Sequence, residues 1–402
     1  GPVPKSILDM VQSRLGHLDQ DSRRLLRAAS IFGRVFWRGG VDALLGPKAD
    51  DLDVSGLLDE LCLLNLIAKH ETSRLAGEVE YAFQQELVRE AAYSSLSADD
   101  ASLGHHLAAP WLEARGESDP FALSNHYLLG RDLRRAAGYF AKAARQSLEG
   151  NDMSGAIELA TKGLECGPGG EDRGRLYQCM GSAYLWTGDP RRAADASASA
   201  LELLSSDTDA WTMTAGDRVT ALGRCGEFDD IVEICNRLLS ASKDTVEDAI
   251  RATSLARAAS RLFLGGRFDE GALILKRLPT NDEGLPPATS GHIYAARANQ
   301  ELCDGDPGKY LSLSDQSADF FEKSGDRRAA TMSRTNMGFA YNELGDYESA
   351  TEYLRSALDV ALEMQLDSLA ALARNNLGRS LLCRGELDEA WDLELIAIES
   401  FL

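Results

Sequence analysis

The sequence predicts a mainly α chain in two parts: a small domain of helices and strands over residues 1–118, then an array of about seven or eight helical hairpins over 119–402. Three observations carry this prediction. A glycine recurs every 38 to 40 residues through much of the second part, and the apolar residues around it are spaced for helices. Before Asp119 that period gives way to helices interrupted by two short alternating runs. With 44% hydrophobic and 26% charged residues in 402, the chain also has the apolar content of a folded protein, enough for several cores or one long repeat array.

In the first part, "SILDMVQSRLGHL" and "DQDSRRLLRAASIFG" place apolar residues at helical spacing. Asp19 or Asp21 is the expected N-cap, because a short carboxylate can accept from the free amides of the first turn. "WRGGVDALLG" and "VSGLLDELCLLNLI" add two more helices. Leu66–His70 and Glu78–Phe83 then read as strands around a polar, glycine-containing turn. Helices followed by a two-stranded wing predict a winged helix, and "YAFQQELVREAAYSSL" is its exit into the next helix.

In the second part, "YLWTGDPRRA", "LGRCGEFDDI", "LFLGGRFDEG", "ELCDGDPGKY", "YNELGDYESA" and "LLCRGELDEA" align on Gly188, Gly226, Gly266, Gly305, Gly345 and Gly385. Each glycine ends one helix and precedes another, the position where a positive φ excludes most side chains. Ala193, Gly271, Ala350 and Ala390, five residues on, let the second helix approach the first. Tyr184, Leu222, Leu262, Tyr341 and Leu381 fill the seam from the first helix. The unit at Gly305 departs, with Glu301 in the seam and Tyr310 in the small position. Upstream, Ala136 and Ala156 fit the small position only about 20 residues apart, so consecutive helices there are shared or irregular.

These residues resemble the tetratricopeptide repeat, most closely in "TNMGFAYNELGDYESATEYLRSALDVA" through Gly338, Tyr341, Gly345, Ala350 and Ala357. The resemblance implies a right-handed α-helical superhelix following the winged helix. Together with "VPKSILDMVQSRLGHLDQDSRRLLRAASIFGRVF" and "QELVREAAYSSL", the whole chain is similar to the segment after the nucleotide-binding core in the signal-transduction ATPases with numerous domains, the STAND proteins. That likeness implies a bacterial, cytoplasmic regulator whose ATP and magnesium sit on an ATPase core absent from this chain. It also implies an output domain (kinase, cyclase or transcription regulator) and allows oligomerisation on activation. The family commonly has aromatic-x-His at the wing exit; here Phe83 is followed by Gln84 and Gln85, and Gln85 cannot become a cation near pH 7. Gly1-Pro2 resembles the scar of a cleaved tag, so a fragment of a longer protein is expected.

Several functions are argued against. The net charge of −21 repels phosphate backbones and anionic membranes, and residues 1–118 carry twelve Lys and Arg against eighteen Asp and Glu. No run approaches the roughly 20 apolar residues of a membrane span. The seven cysteines contain no C-x-x-C pair and read as buried thiols in a reducing cytosol. No G-x-x-x-x-G-K-[ST] phosphate loop occurs, and "GDPGKY" lacks the spacing. His105 and His106 diverge by about 100° on a helix, so one packs and the other faces solvent. The pairs Asp50-Asp51 and Asp99-Asp100 read as solvated or capping charge. No catalytic residue, metal ligand or cofactor site is expected.

Two classes of function remain: a sensor segment whose repeats bind a protein, peptide or small-molecule inducer, and a repeat scaffold whose winged helix binds DNA as a transcription factor. The acidic balance favours the first, since "VFWRGGVDALLG" has only Arg34 and Arg38 nearby. In the resembled repeat the first helix lines a concave groove. Counting from the aligned glycines places Arg175, Gln178, Trp186, Arg224, His292, Asn299, Asn342, Asn375 and Arg379 there, a set suited to a carboxylate or an acidic peptide.

Overall fold

The computed structural model describes residues 15–46, 52–240 and 248–401. Gly1-Pro2, most of "SILDMVQSRLGHL" and the pair Asp50-Asp51 lie outside the described residues. The chain forms two compact units, residues 1–143 with 161–168, and residues 144–160 with 169–402.

The first unit opens with α1 (Gln20–Phe32), β1 (Val35–Trp37), α2 (Arg38–Leu45), α3 (Val54–Leu63), β2 (Ile67–Lys69) and β3 (Glu80–Phe83). It continues through α4 (Glu86–Ser94), α5 (Ala98–Ala114) and α6 (Pro120–Leu129). Asp19 caps α1, accepting from the amides of Asp21 and Ser22 at 2.8 Å. The sheet is antiparallel in the order β1-β3-β2, with Phe36 opposite Tyr81 and Ile67 opposite Phe83. Its inner face joins α1, α3 and α4 in a core containing Leu25, Leu58, Phe36 and Val88. The strand β1 is not foreseen in the sequence, and the other two are shorter than expected.

Glu80, buried in β3, is the polar pin of this sheet. Its carboxylate accepts from Trp37 Nε1 at 3.2 Å and the Arg74 amide at 2.8 Å, and it meets His70 Nδ1 at 2.8 Å. The predicted division at Ser118/Asp119 falls inside this unit. Leu112 of α5 and Leu123 of α6 share one cluster with Trp37 and Leu75, so the helix after Asp119 continues the first core.

Helices α7 (Leu133–Glu149) and α8 (Met153–Glu165) cross the division between the units. Six hairpins then follow in the second unit: α9 (Gly170–Thr187) with α10 (Pro190–Leu203), α11 (Asp209–Cys225) with α12 (Phe228–Ser240), and α13 (Ala249–Leu264) with α14 (Phe268–Leu275). The remaining three are α15 (Pro287–Cys303) with α16 (Pro307–Ser324), α17 (Arg327–Leu344) with α18 (Tyr347–Glu363), and α19 (Asp367–Arg384) with α20 (Leu387–Phe401). All six aligned glycines take φ between 75° and 85°. Ala193, Gly271, Ala350 and Ala390 are buried in the seams. Tyr310 is buried too, its ring edge-on to Phe339 at 6.2 Å, so in this hairpin an aromatic fills the small slot. Gly338 shows how close the helices come: a Cβ there would lie 2.4 Å from Leu354 Cγ.

First helices of neighbouring hairpins pack on one another, as α9 on α11, α11 on α13, α13 on α15 and α17 on α19. They line the inside of the array, and the array curls far enough to meet itself. Trp186 of α9 packs into the cluster holding Leu354 and Leu369, with the Arg328 guanidinium 4.8 Å from its ring centre. Asn151 Nδ2 donates to the Met364 carbonyl at 3.1 Å. The first and last of the six hairpins therefore touch, and the first-helix side of the ring they close is its bore.

Candidate ligand-binding face

The nine residues expected on the inner face divide into three groups. Arg175, Asn375 and Arg379 are exposed, but each is already engaged with an acid: Arg175 with Glu171 at 2.7 Å, Asn375 with Glu394 at 3.1 Å, Arg379 with Glu343 at 2.6 Å. An anionic partner would have to displace these carboxylates. Gln178, Trp186 and Asn342 serve packing. Gln178 donates to the Ala210 carbonyl at 3.1 Å, and Trp186 closes the turn. Asn342 is 2% exposed, donates to the Asn376 carbonyl at 3.0 Å and accepts from Ser380 Oγ at 2.7 Å. Its amide has no freedom for a ligand, because the neighbouring helix α19 takes both ends.

Arg224, His292 and Asn299 form the third group, and the structure adds Arg257 and Arg261 to it. Arg257 and Arg261 are four residues apart on α13, hence on one face. Arg257 Nε donates to Thr220 Oγ1 at 3.0 Å, and its Nη2 pairs with Asp217 at 2.8 Å; Asp217 also accepts from Ser182. Arg224 donates to the Leu185 carbonyl at 2.9 Å. The stem of Arg261 lies across Gly223, where a Cβ would come within 2.7 Å of it. His292 meets the Phe321 ring edge-on at 4.9 Å. Asn299, seven residues further along the same face of α15, is 8% exposed.

The surroundings of this half-buried cluster weaken the hold of its groups on protons. Burial, then the charges of Arg224 and Arg257, bring the Arg261 guanidinium down to about 10. Burial, with Arg257 and Arg261 beside it, brings His292 to about 3, so its imidazole is neutral. Arg224 is lowered by the same causes, burial first and then Arg257. Among the described residues, Asp217 is the one carboxylate paired with any of these arginines, and the Arg261 guanidinium has neither an ion pair nor a hydrogen bond. Arg257 and Arg261 were missed because fixed offsets from the aligned glycine step past them. The available signal was two arginines set among the fully buried alanines of "ARAASR".

An open depression of about 440 Å³ beside α15 and α16 contains Arg297, Glu301 and Lys309, but Lys309 pairs with Glu301 at 3.3 Å and Arg297 donates to the Pro279 carbonyl at 2.6 Å. In the first unit His105 is buried and His106 exposed. Gln84 and Gln85, between β3 and α4, are exposed. No cysteine forms a disulfide; Cys303 and Cys383 are exposed instead of buried, while burial pushes Cys179 and Cys235 up to about 12. Among the described residues no group of three or more His, Cys, Asp or Glu could hold a metal ion, and no helix is long and apolar enough to cross a membrane.

Residues 331–364 match the tetratricopeptide repeat family. That stretch is α17 with α18, the hairpin whose sequence pattern is most regular. Curated proteins give no significant match. Among solved structures, the chain is similar to a STAND protein with a tetratricopeptide repeat sensor from Pyrococcus horikoshii, at 14% identity and a TM-score of 0.38. That alignment covers 100% of this chain and 62% of the other, so the chain spans less than two thirds of that protein. Yeast Tom70 aligns at 16% identity over 98% of this chain and 81% of its own, TM-score 0.41. BtubC from P. vanneervenii aligns at 15% identity over 56% and 90%, TM-score 0.38. Likenesses of this strength fix neither a function nor a partner. The chain is a mainly α, tetratricopeptide-like repeat protein, and repeats of this kind bind other molecules.

Proposed function

We propose that the chain is the non-catalytic sensing segment of a cytoplasmic STAND-type signalling protein. Its repeats take up a ligand, and a winged helix in the first unit passes the outcome to an ATPase core and an output domain carried elsewhere in the full-length protein. ATP and magnesium belong to that core, and oligomerisation on activation to the whole protein. The observation that supports the reading is the packing of α11 on α13 with Arg224, Arg257 and Arg261 gathered along their contact, a polar, cationic stretch of first helix that a ligand could meet.

The winged-helix part of the proposal is supported by the order helix–strand–helix–helix–strand–strand with the sheet order β1-β3-β2. In that order α3, not α2, holds the place of a recognition helix. It carries Asp59 and Glu60 and neither Lys nor Arg, which suits a protein contact and opposes a DNA backbone.

The test offers the 402-residue chain fractionated metabolites and peptides, duplex DNA and magnesium-ATP in turn, with hydrogen exchange mapped by mass spectrometry. A ligand that protects the first helices α11 to α19, together with no ATP turnover, is the expected result. Protection confined to the outward second helices would overturn the groove reading. Sequence-selective, salt-sensitive binding to duplex DNA would overturn the winged-helix reading.

A further inference from the structure

Three arginines from two adjacent helices crowd one wall of the bore, with one carboxylate to balance them, in a chain whose net charge is −21. Many other cations on this protein sit in exposed ion pairs, such as Arg191 with Glu227 and Arg355 with Glu389. A repeat that needed only stability would not gather like charges at one half-buried place, because an unpaired, partly desolvated cation is destabilising. The cluster is also built. Gly223 leaves the space in which the Arg261 stem lies, Thr220 and Asp217 hold Arg257 from two sides, and the Leu185 carbonyl anchors Arg224.

The formal charge selects the ligand. Arg224, Arg257 and Arg261 contribute three positive charges and Asp217 one negative, with His292 neutral, so the site lacks two negative charges. Guanidinium groups held in fixed orientation match the planar, bidentate geometry of carboxylate and phosphate oxygens. The array meets itself at Trp186 and Asn151, and the three arginines are half-buried on the first-helix side, a setting that suits a small ligand better than a long extended chain. We propose that the bore binds a small-molecule dianion, a phosphate monoester or a dicarboxylate, between Arg224, Arg257 and Arg261, with His292 and Asn299 on the α15 side. This names the ligand class of the sensing reading and rests on that reading for its biological meaning.

The experiment is titration calorimetry and thermal unfolding of the 402-residue chain at pH 8 and constant ionic strength, using inorganic phosphate in one arm and succinate in the other. Saturable binding at one site with a raised melting temperature is expected, and the arm that binds more tightly distinguishes phosphate from dicarboxylate. Arg261→Met should weaken binding at least tenfold and abolish the thermal shift, while its unliganded melting temperature stays at or above that of the native chain. Arg355→Met, on the outer helix α18, should bind as the native chain does. Should Arg261→Met not fold, Arg224→Met is read in the same way. The proposal is overturned if neither anion binds saturably, if Arg261→Met keeps the native affinity, or if it lowers the unliganded melting temperature as the loss of a purely structural residue would. It is also overturned if a peptide ending in Asp or Glu binds where both small anions fail. Hydrogen exchange separates the two levels: anion protection restricted to α11, α13 and α15 keeps the site and counts against signal relay.

Discussion

The first unit should lose stability as the pH falls from 7 to 5, because two buried imidazoles must stay neutral. His105 of α5 and His126 of α6 share a hydrogen bond through their Nδ1 atoms at 3.0 Å, and Tyr93 of α4 meets His105 Nε2 at 2.9 Å. Such a bond needs one nitrogen without a proton, so charging both rings would turn an attraction into a repulsion. Burial, then His126, lowers His105 from 6.5 to about 3, and burial lowers His126 from 6.5 to about 4. Between those values and 6.5 the unfolded chain binds more protons than the folded one, so stability is complete above 6.5 and declines as the pH drops. From pH 6.5 to 5 the loss is about 1.5 units at about 1.4 kcal/mol per unit, roughly 2 kcal/mol for each imidazole taken alone. The assay is hydrogen exchange of peptides from α5 and α6 at pH 7 and 5, corrected for intrinsic rates. Protection should fall about thirtyfold or more for a loss of roughly 2 kcal/mol. It should stay level in the double variant His105→Gln, His126→Gln. Constant protection in the native chain, or an equal slope in the variant, would refute the reasoning. Glu80 does not confuse the result: burial raises it, but its bonds from Arg74, His70 and Trp37 outweigh this and hold it below 4.5, so its contribution is lost only at more acid pH.

Replacing Glu80 with Ala removes the acceptor of the buried Trp37 indole and of the Arg74 amide, and should lower the urea stability of the first unit by about 2–4 kcal/mol. Gly338→Ala places a methyl group against fully buried Leu354 and should destabilise the α17–α18 hairpin by about 1–3 kcal/mol in the same measurement; an unchanged midpoint would mean the helices can part without penalty. Gly345→Ala, at φ 80°, should cost about 1–2 kcal/mol for the left-handed backbone alone. Arg379→Glu breaks an exposed pair with Glu343 and should shift thermal stability by less than about 1 kcal/mol, so a larger loss would show that the pair is structural.

What the sequence made legible is what depends on near neighbours along the chain. A residue that must adopt positive φ to end a helix is fixed by its own turn, and Gly188 through Gly385 were placed correctly without knowledge of what they pack against. The α1 cap at Asp19 is equally local. What was missed depends on partners far away in the chain. Val35–Trp37 is three residues long, too short for alternation to register, and becomes a strand because Tyr81, 45 residues later, lies opposite Phe36. Tyr310 departs from the small-residue pattern, yet the space for it is made by Ala298 and Ala340 on other helices.

The candidate site divides along the same line. An offset from a glycine predicts which side of a helix a residue is on, but not how much of that side the next helix covers. Asn342 and Arg224 were placed by the same rule; the first is closed over by Asn376 and Ser380 of α19, while the second stays half-buried against the bore. Arg261 is the strongest case. The charges that act on it come from different helices, Arg224 on α11 and Arg257 on α13, and the room for its stem is the missing side chain of Gly223. Gly223 gives no turn signal, since it sits inside a helix where glycine is unfavourable by about 1 kcal/mol relative to alanine. A glycine kept at that cost is accounted for by what passes over it, and here that is a cation with no protein acceptor. It follows that Gly223→Ala should displace the Arg261 stem and lower anion affinity, and because the added methyl would also stand 2.8 Å from the Arg261 Cβ, α11 and α13 must part slightly and the melting temperature should fall as well. If affinity were unchanged in Gly223→Ala, the position of the Arg261 head would not be what selects the ligand.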